Sequence, residues 1–312
     1  MKNNYYLLLA GGVGAAKFIE GLAQIIDPKQ MKIIVNTGDD INLYGLNISP
    51  DLDIITYTLA NVVDKQKGWG FRDETFNCLS ILKKYYDFRW FNAGDRDLAT
   101  HIYRTDLVKQ GFTKAEVTNK ICRNLGVEAH VIPMCNENVQ TYIKTPIGSM
   151  HFEEYYIKHK CEPEIISVEF KGIENAKPVD GVIDFIRNAK RIIICPSNPI
   201  VSIGTILKVP SIKDILIEER SKVFAISPIV QGSTIKGPAD KLLNSLGYDV
   251  SSLGVANYYR EFLEYFIIDI KDQELKPMIE NLGIKTYCFD TIMTNINKKK
   301  ELARFIININ NQ

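Results

Sequence analysis

Short apolar runs rich in Ile, Leu and Val recur along the chain, and each one gives way to a glycine, a proline or a polar residue. Such runs predict buried parallel strands, because a strand covered by helices on both faces has no polar side. Stretches with apolar residues at helical spacing lie between many of them. We predict strands at 5–10, 33–35, 191–195, 223–228, 266–268 and 285–289, and helices at 15–26, 54–63, 75–85, 113–125 and near the C-terminus to 307.

Strands that alternate with helices predict an α/β fold with a doubly wound, mostly parallel sheet. The pattern changes between residues 129 and 170, where apolar and polar residues alternate with period two. That period is typical of antiparallel hairpins, with a turn at 146–148. We therefore predict a nucleotide-binding core formed by 1–53 and 175–312, with an α+β insertion of helices and then hairpins at 54–174.

Four of the strand ends carry loops rich in glycine, hydroxyl groups or carboxylates. The carboxyl ends of parallel strands meet at one edge of a doubly wound sheet, so these loops can surround one ligand. A glycine turn that enters a helix presents N–H groups to an anion, and the G-G-V-G turn at 11–14 has this form. A nucleotide diphosphate suits such loops. The candidate binding residues are Gly11, Gly12, Gly14, Lys17, Ser197, Asn198, Ser202 and Ser227.

Four aspartates follow the strand at 33–35 within fifteen residues of one another: Asp39, Asp40, Asp51 and Asp53. Carboxylates gathered at a strand end repel one another unless a cation lies between them. A Mg²⁺ ion shared with a substrate phosphate would resolve that repulsion. For any single aspartate the alternative stays open that it serves a turn or opens a helix.

A second charged motif, G-D-R-D at 94–97, precedes a helix predicted to begin at residue 98 with Asp97 as its N-cap. We expect Arg96 to bind a phosphate group, because the two flanking aspartates would hold its guanidinium rigid. His101 and Arg104 share one face of this helix. They either face solvent or point at the same phosphate.

Composition excludes several classes of function. The chain has 38 basic and 37 acidic residues, a net charge of +1, and so lacks the charge typical of nucleic-acid-binding proteins. No apolar run approaches the roughly 18 residues of a membrane span, and the run at 5–10 is too short for a signal peptide, so we expect a cytoplasmic protein. The six cysteines form no C-x-x-C pair and the four histidines show no ligand spacing, which predicts reduced thiols and no zinc site. His151 and His159 are expected on strand surfaces.

The chemistry that these residue types favour is phosphoryl transfer, in which a protein mainly positions reactants and stabilises charge. No G-x-S-x-G motif is present, which disfavours a nucleophilic triad. The glycine turn lacks the full G-x-G-x-x-G pattern, which disfavours a dinucleotide-dependent oxidoreductase.

Six motifs occur in order and span most of the chain. They are G-G-V-G at 11–14, N-T-G-D-D at 36–40, I-S-P-D-L-D at 48–53, G-D-R-D-L-A-T-H at 94–101, P-S-N-P-I-V-S-I-G at 196–204 and S-P-I at 227–229. Together they resemble the 2-phospho-L-lactate transferase family. The resemblance implies a Rossmann-like core with an inserted domain that covers the acceptor site, and a homodimer.

The resemblance also implies an activity. A phospholactyl or phosphoenolpyruvyl group would pass from a guanosine diphosphate conjugate to the deazaflavin alcohol Fo, with Mg²⁺, giving coenzyme F420-0 or its dehydro form and GMP. A non-catalytic regulator that binds nucleotide sugars, similar to gluconeogenesis factor, is the alternative. The motifs at 48–53 and 94–97 favour the transferase.

Carried over motif by motif, Asp53 would contact Fo or the metal and would orient the attacking hydroxyl or accept its proton. Asp39, Asp40 and Asp51 would be candidates for Mg²⁺ and for orienting that hydroxyl. The segments 11–14 and 197–202 would hold the guanosine diphosphate. Asn92 departs from a basic residue that some family members carry at a position in contact with Fo.

Overall fold

The computed structural model describes residues 4–86, 90–235 and 237–309. The strands are β1 Tyr6–Ala10, β2 Met31–Val35, β3 Ile41–Leu43, β4 Leu46–Ile48, β5 His130–Pro133, β6 Gln140–Thr145, β7 Gly148–His151, β8 Ser167–Lys171, β9 Arg191–Ile194, β10 Val223–Ile226, β11 Ile229–Val230, β12 Ser233–Thr234, β13 Tyr265–Asp269 and β14 Lys285–Phe289. Seven of them form a central sheet in which every neighbouring pair is parallel, with the order β5-β2-β1-β9-β10-β13-β14. This confirms the predicted α/β fold.

The sheet is doubly wound about β1. The chain moves from β1 outward through β2 to β5, and then returns to the other side of β1 to add β9, β10, β13 and β14. The direction of winding therefore reverses between β1 and β9. In open α/β sheets this reversal leaves a crevice at the carboxyl ends of the two strands, where ligands bind.

Helices cover both faces of the sheet, because alternate residues of each strand point to opposite sides. Leu7 and Leu9 of β1 pack into one hydrophobic layer, whereas Leu8 and Ala10 pack into the other. The helices are α1 Gly12–Ala23, α2 Pro50–Leu59, α3 Asn77–Tyr85, α4 Asp95–Lys109, α5 Lys114–Asn124, α6 Val182–Asn188, α7 Gly204–Lys208, α8 Ile212–Glu218, α9 Ala239–Ser245, α10 Ser252–Tyr259, α11 Lys276–Glu280 and α12 Ile296–Asn308.

An antiparallel three-stranded sheet, with the order β7-β6-β8, stands beside the central one, and β6 and β7 form the predicted hairpin. The prediction of hairpins throughout 129–170 is wrong at β5, which pairs in parallel with β2 at the edge of the central sheet. The reason is that Val131 and Ile132 are both buried, each against a different layer of helices. One strand of the predicted insertion thus belongs to the central sheet, and the division into domains stays a prediction.

The start of α4 also differs from the prediction. The helix begins at Asp95 with Gly94 as N-cap, so Asp97 lies inside the first turn. The carboxylate that accepts hydrogen bonds at this end belongs to Glu74, which receives the N–H groups of Arg96 (2.8 Å) and Asp97 (3.1 Å). Gly94 is required there, since a Cβ at this position would lie 1.8 Å from the Glu74 side chain.

Asp95 provides the reverse contact. Its carboxylate accepts hydrogen bonds from the N–H groups of Asn77 (3.1 Å) and Cys78 (3.0 Å) at the start of α3. The two helices therefore cap each other: Asp95, at the start of α4, caps α3, and Glu74, just before α3, caps α4. At α5 the predicted capping box between Thr113 and Glu116 is confirmed.

All six cysteines are free thiols, as predicted. Within the described ranges, no helix is both long enough and apolar enough to cross a membrane.

Candidate active site

The glycine turn after β1 lies at the reversal between β1 and β9. The backbone of Gly12 has a φ of +71°, a left-handed conformation that favours glycine. A Cβ on Gly14 would lie 2.1 Å from the carbonyl oxygen of Pro196, in the loop after β9. A Cβ on Gly11 would lie 2.7 Å from both Asp51 Oδ2 and Ser202 Cβ. The turn is thus in close contact with two segments that are distant in sequence, as the shared-edge prediction requires.

Hydrogen bonds join the same segments. The N–H of Gly11 donates to Ser197 Oγ (3.3 Å), and the N–H of Gly12 donates to Asp51 Oδ1 (2.7 Å). Asp51 occupies the first turn of α2, where Pro50 starts the helix. Three of the predicted polar segments, at 11–14, 48–53 and 196–204, therefore meet at the crevice.

Asp51 shares a buried pocket with Asp39. The side-chain amide of Asn36 joins them, since its Nδ2 donates to Asp39 Oδ2 (3.0 Å) and to Asp51 Oδ2 (2.9 Å). The other oxygen of Asp39, Oδ1, is buried and accepts no well-aligned hydrogen bond in the described part of the chain, although the hydroxyl of Thr141 acts to lower the pKa of this carboxyl. No Lys, Arg or His side chain there forms an ion pair with either carboxylate.

Burial and mutual repulsion change the acidities of these carboxyl groups. Burial raises the pKa of Asp51 to about 6 and raises the pKa of Asp39 well above its usual range, with the charge of Asp51 adding to the effect on Asp39. Burial, with a contribution from Asp51, also raises the pKa of Glu153 to about 8. Sequence reasoning missed Glu153. These buried carboxylates, including Oδ1 of Asp39, could hold a divalent cation, because such cations take oxygen ligands.

Asp53 lies in different surroundings, although only Leu52 separates it from Asp51 in the chain. Its Oδ1 forms a buried ion pair with Nη2 of Arg104 on α4. Burial raises the pKa of Asp53, and the Arg104 charge opposes that shift. Its Oδ2 is buried, lies 3.7 Å from Nδ1 of His101 and has no hydrogen-bond partner among the described residues.

Side chains of α4 and α2 surround the partners of Asp53. Nε2 of His101 lies 3.4 Å from Asp97 Oδ2, and Asp97 Oδ1 accepts a hydrogen bond from the hydroxyl of Tyr57 (2.7 Å). One ligand atom from each of Asp53, Asp97 and His101 lies within 4.8 Å of the others, which is close enough to share a cation. Arg104 already supplies a positive charge at this place.

Asp40, the fourth predicted metal ligand, forms an ion pair with Lys114, with 2.8 Å between Oδ2 and Nζ. Its carbonyl oxygen lies 3.2 Å from Nε2 of His151. The N–H of Glu153 donates to Nδ1 of His151 (3.2 Å), which leaves Nε2 to donate to Asp40. The prediction that His151 lies on a strand surface is wrong: it is buried and ties the antiparallel sheet to the aspartate loop, and burial lowers its pKa to about 4.

Two of the predicted binding residues in the other loops form hydrogen bonds within the protein. Oδ1 of Asn198 accepts from the N–H groups of Ile200 (3.0 Å) and Val201 (3.2 Å) and so shapes its own loop. The buried hydroxyl of Ser227 donates to the carbonyl of Ile229 (2.9 Å) and lies 2.9 Å from Ser252 Oγ. Lys17 is half-buried on α1. Ligand contacts of these residues stay predictions.

Arg96 is exposed, and its guanidinium donates to the carbonyl of Arg72 (2.8 Å). The expectation that the flanking aspartates would hold this guanidinium is wrong, because Asp95 caps α3 and Asp97 contacts Tyr57 and His101. Asn92 is also exposed and accepts from Nζ of Lys83 (3.3 Å), so a basic group lies beside it.

The partners of Asp53 were the main omission from the sequence reasoning. His101 and Arg104 do share a face of α4, as predicted, but that face meets Asp53 rather than solvent. The spacing of Asp97, His101 and Arg104, four and then three residues apart, was the available signal, since it puts three chemically active side chains on one helix face. The sequence does not show what that face meets.

Known proteins resemble the chain over nearly its whole length. A family profile described as 2-phospho-L-lactate transferase CofD matches residues 7–303. The chain is 36% identical over 303 residues to the 2-phospho-L-lactate transferase of Methanosarcina acetivorans, an alignment that covers 97% of this chain and 98% of that one. It is 36% identical over 304 residues to the phosphoenolpyruvate transferase of Streptomyces coelicolor, covering 96% and 95%.

Among solved structures, a member of the UPF0052 family from Bacillus halodurans superposes with a TM-score of 0.66, covering 99% of this chain and 100% of that chain. At 16% sequence identity, this likeness concerns the fold alone.

Proposed function

Since the chain belongs to the 2-phospho-L-lactate transferase CofD family and is an enzyme, we propose that it transfers a 2-phospholactyl or phosphoenolpyruvyl group from a guanosine diphosphate conjugate to the hydroxyl of the deazaflavin Fo. The products are F420-0, or its dehydro form, and GMP. Both donor groups stay in the proposal because relatives named for each are 36% identical to the chain.

One observation carries the proposal: Oδ2 of Asp53 is a buried carboxylate oxygen without a donor among the described residues. A buried acceptor that lacks a hydrogen bond costs roughly 1–3 kcal/mol, so such atoms are uncommon and call for an explanation. An alcohol at this position donates the hydrogen bond that the protein leaves open. Asp53 therefore serves as the acceptor-binding carboxylate and as the group that takes the hydroxyl proton.

The donor site lies on the other side of the first turn of α2. The turn at 11–14 leads into α1, whose N-terminus carries a partial positive charge that favours a diphosphate. Ser197 and Ser202 reach the same turn from the loop after β9. Five further residues remain proposed substrate contacts: Lys17, Asn198, Arg96, Asn92 and Ser227. Asn198 and Ser227 also form hydrogen bonds within their own loops, and Arg96 and Asn92 are exposed.

Asp39 and Asp51 are the residues that would hold Mg²⁺. They provide hard oxygen ligands, no side-chain cation in the described part neutralises them, and Oδ1 of Asp39 accepts no well-aligned hydrogen bond there. Asp40 and Asp53, also predicted as ligands, each face a basic side chain instead. When bound, Mg²⁺ would stabilise negative charge on the diphosphate oxygens.

The transfer itself is a displacement at phosphorus. The Fo hydroxyl oxygen, aligned by Asp53, forms a bond to the phosphorus that bears the lactyl or enolpyruvyl group. The bond from that phosphorus to the bridging oxygen breaks, and GMP leaves with that oxygen. The hydroxyl proton passes to Asp53 Oδ2, while Arg104 keeps Oδ1 in place.

The test replaces Asp53 by Asn, which keeps the size of the side chain and removes its charge. We expect GMP release with Fo and each donor to fall by roughly 10²–10⁴, the usual contribution of general acid–base catalysis, with GDP affinity unchanged. Asp73→Asn is the matched control, because Asp73 is exposed and outside the site. Full turnover by Asp53→Asn would refute the proposal.

Family membership speaks against the alternative of a non-catalytic regulator. A deazaflavin difference spectrum on addition of Fo separates the two, since the regulator would bind a nucleotide sugar and not Fo. The homodimer and the cytoplasmic location stay predictions.

A further inference from the structure

We propose that His101 is a positioning residue for Asp53: through its contact with Arg104, it fixes the ion pair at Oδ1 and keeps Oδ2 free for the acceptor hydroxyl. This inference rests on the proposed function of Asp53. His101 itself touches neither substrate in the proposal.

The contact with Arg104 determines the tautomer of His101. Nη1 of Arg104 lies 3.1 Å from Nδ1 of His101. A guanidinium has only donors, so Nδ1 must offer its lone pair, and the ring proton is on Nε2. Arg104 is held from a third side by the carbonyl oxygen of Asn47, 3.4 Å from Nη1.

Asp97 favours the same tautomer from the opposite side of the ring. Nε2 lies 3.4 Å from Asp97 Oδ2, an electrostatic contact rather than a well-aligned hydrogen bond. Asp97 also accepts a hydrogen bond from the hydroxyl of Tyr57 (2.7 Å). The negative charge of its carboxylate attracts the proton on Nε2.

The tautomer of His101 affects Asp53. Its Oδ2 is 3.7 Å from Nδ1 of His101. A proton on Nδ1 would turn the ring into a competing donor next to Oδ2, whereas the lone pair on Nδ1 leaves that oxygen for an incoming hydroxyl. The five residues of this network are buried, with His101 at 1% exposure and Asp53 at 5%, and burial strengthens the electrostatic contacts between them. They are Tyr57, Asp97, His101, Arg104 and Asp53.

A cation shared by Asp53, Asp97 and His101 is the competing interpretation of the same atoms. A metal on Nε2 would place the ring proton on Nδ1, where it would face the donor Nη1 of Arg104. The Arg104 contact therefore favours the proton over the metal.

The kinetic test compares two amides at one position. In His101→Asn the side-chain oxygen takes the place of Nδ1 and still accepts from Arg104, whereas in His101→Gln the amide lies at the place of Nε2 and that acceptor is lost. We expect His101→Gln to raise the KM for Fo or lower kcat, by roughly 10- to 100-fold in kcat/KM for Fo. The KM for the donor should not change. We expect His101→Asn to stay within a few-fold of wild type, and His159→Asn, outside the network, to match wild type.

Equal losses in the Asn and Gln variants, or equal changes in the KM of both substrates, would overturn the proposal. The second measurement needs no variant to fold well: ¹⁵N chemical shifts of the four histidines in the wild-type protein, with His101 assigned from the signal missing in His101→Asn. The expected pattern is that of the Nε2–H tautomer. A proton on Nδ1, a doubly protonated ring, or a shift of Nε2 on addition of Mg²⁺ or Zn²⁺ alone would contradict it.

The two proposals fail separately. Full turnover by Asp53→Asn would refute the function proposed for Asp53, whatever the tautomer of His101. Loss of turnover in Asp53→Asn with wild-type kinetics in His101→Gln would refute the positioning role alone.

Discussion

Asp51 and Asp53 lie in the same turn of α2 yet in opposite electrostatic surroundings. Two residues correspond to about 200° around a helix axis, so their side chains point to different sides. Asp51 meets an amide, an N–H group and another acid, whereas Asp53 meets a guanidinium. The carboxylates that follow one another in the sequence therefore form two sites. Asp53 has a basic partner, whereas Asp51 has none among the described residues.

Arg104→Met should show the largest effect, because it leaves the carboxylate of Asp53 buried without a counter-charge. Breaking a buried ion pair from one side costs about 3–5 kcal/mol, so we expect a loss of this size in the free energy of unfolding in urea at pH 7.5. Arg123→Met, at an exposed position on the neighbouring α5, is the control and should be nearly neutral. The double variant Asp53→Asn with Arg104→Met should recover part of the lost stability. If Arg104→Met were as stable as wild type, Arg104 would not be the group that neutralises Asp53.

The opposite behaviour is expected at Asp51. Its folded-state pKa, about 6, lies above the ordinary value of 3.8, so the folded protein binds this proton more tightly than the unfolded chain does. The stability that this group contributes is complete below about pH 3.8 and is lost as the pH rises through 6, a change of roughly 3 kcal/mol. The difference in unfolding free energy between wild type and Asp51→Asn, measured without metal from pH 4 to pH 8, should show this decline.

Addition of Mg²⁺ should reduce the decline at Asp51 and stabilise wild type more than Asp51→Asn or Asp39→Asn. Exposed Asp73→Asn should follow wild type under both conditions. Should Mg²⁺ stabilise all four proteins equally, the pocket of Asp39 and Asp51 would not be the cation site.

The smallest loss of stability should come from Tyr57→Phe, which removes the uncharged hydroxyl that donates to Asp97. The hydrogen bond from Tyr57 to Asp97 measures 2.7 Å, and we expect its loss to cost about 1–2 kcal/mol in the urea experiment, since the acceptor is charged. Tyr103→Phe, on the partly exposed side of α4, should cost less than half as much. A larger effect at Tyr103 would mean that the Asp97 contact is not a stabilising one.

Much of the fold could be predicted because buried parallel strands are recognisable from their own residues. The run at 191–195 and the glycine turn at 11–14 indicated both strands that border the crevice. His130–Pro133 was assigned wrongly because it is short, and the alternating stretch beyond it suggested hairpins. Period alone does not separate a short edge strand from a hairpin strand.

The candidate site could be predicted as far as it depends on local signals. Asp39 and Asp51 follow a strand and open a helix, which placed them at the sheet edge. The partner of Asp53 could not be found in this way, because Arg104 is 51 residues away and reaches Asp53 only once α4 has packed. Which carboxylates are neutralised is a property of tertiary contacts, and a single sequence does not contain it.

The exchange of caps between Glu74 and Asp95 has a consequence for how this region behaves as a unit. Neither α3 nor α4 has its first N–H groups satisfied unless the other helix start is in place. The two starts should therefore open and close together in hydrogen exchange, as one cooperative segment. Because α4 also carries His101 and Arg104, any fraying of α3 would loosen the side chains that hold Asp53, which links a surface helix to the order of the buried carboxylate.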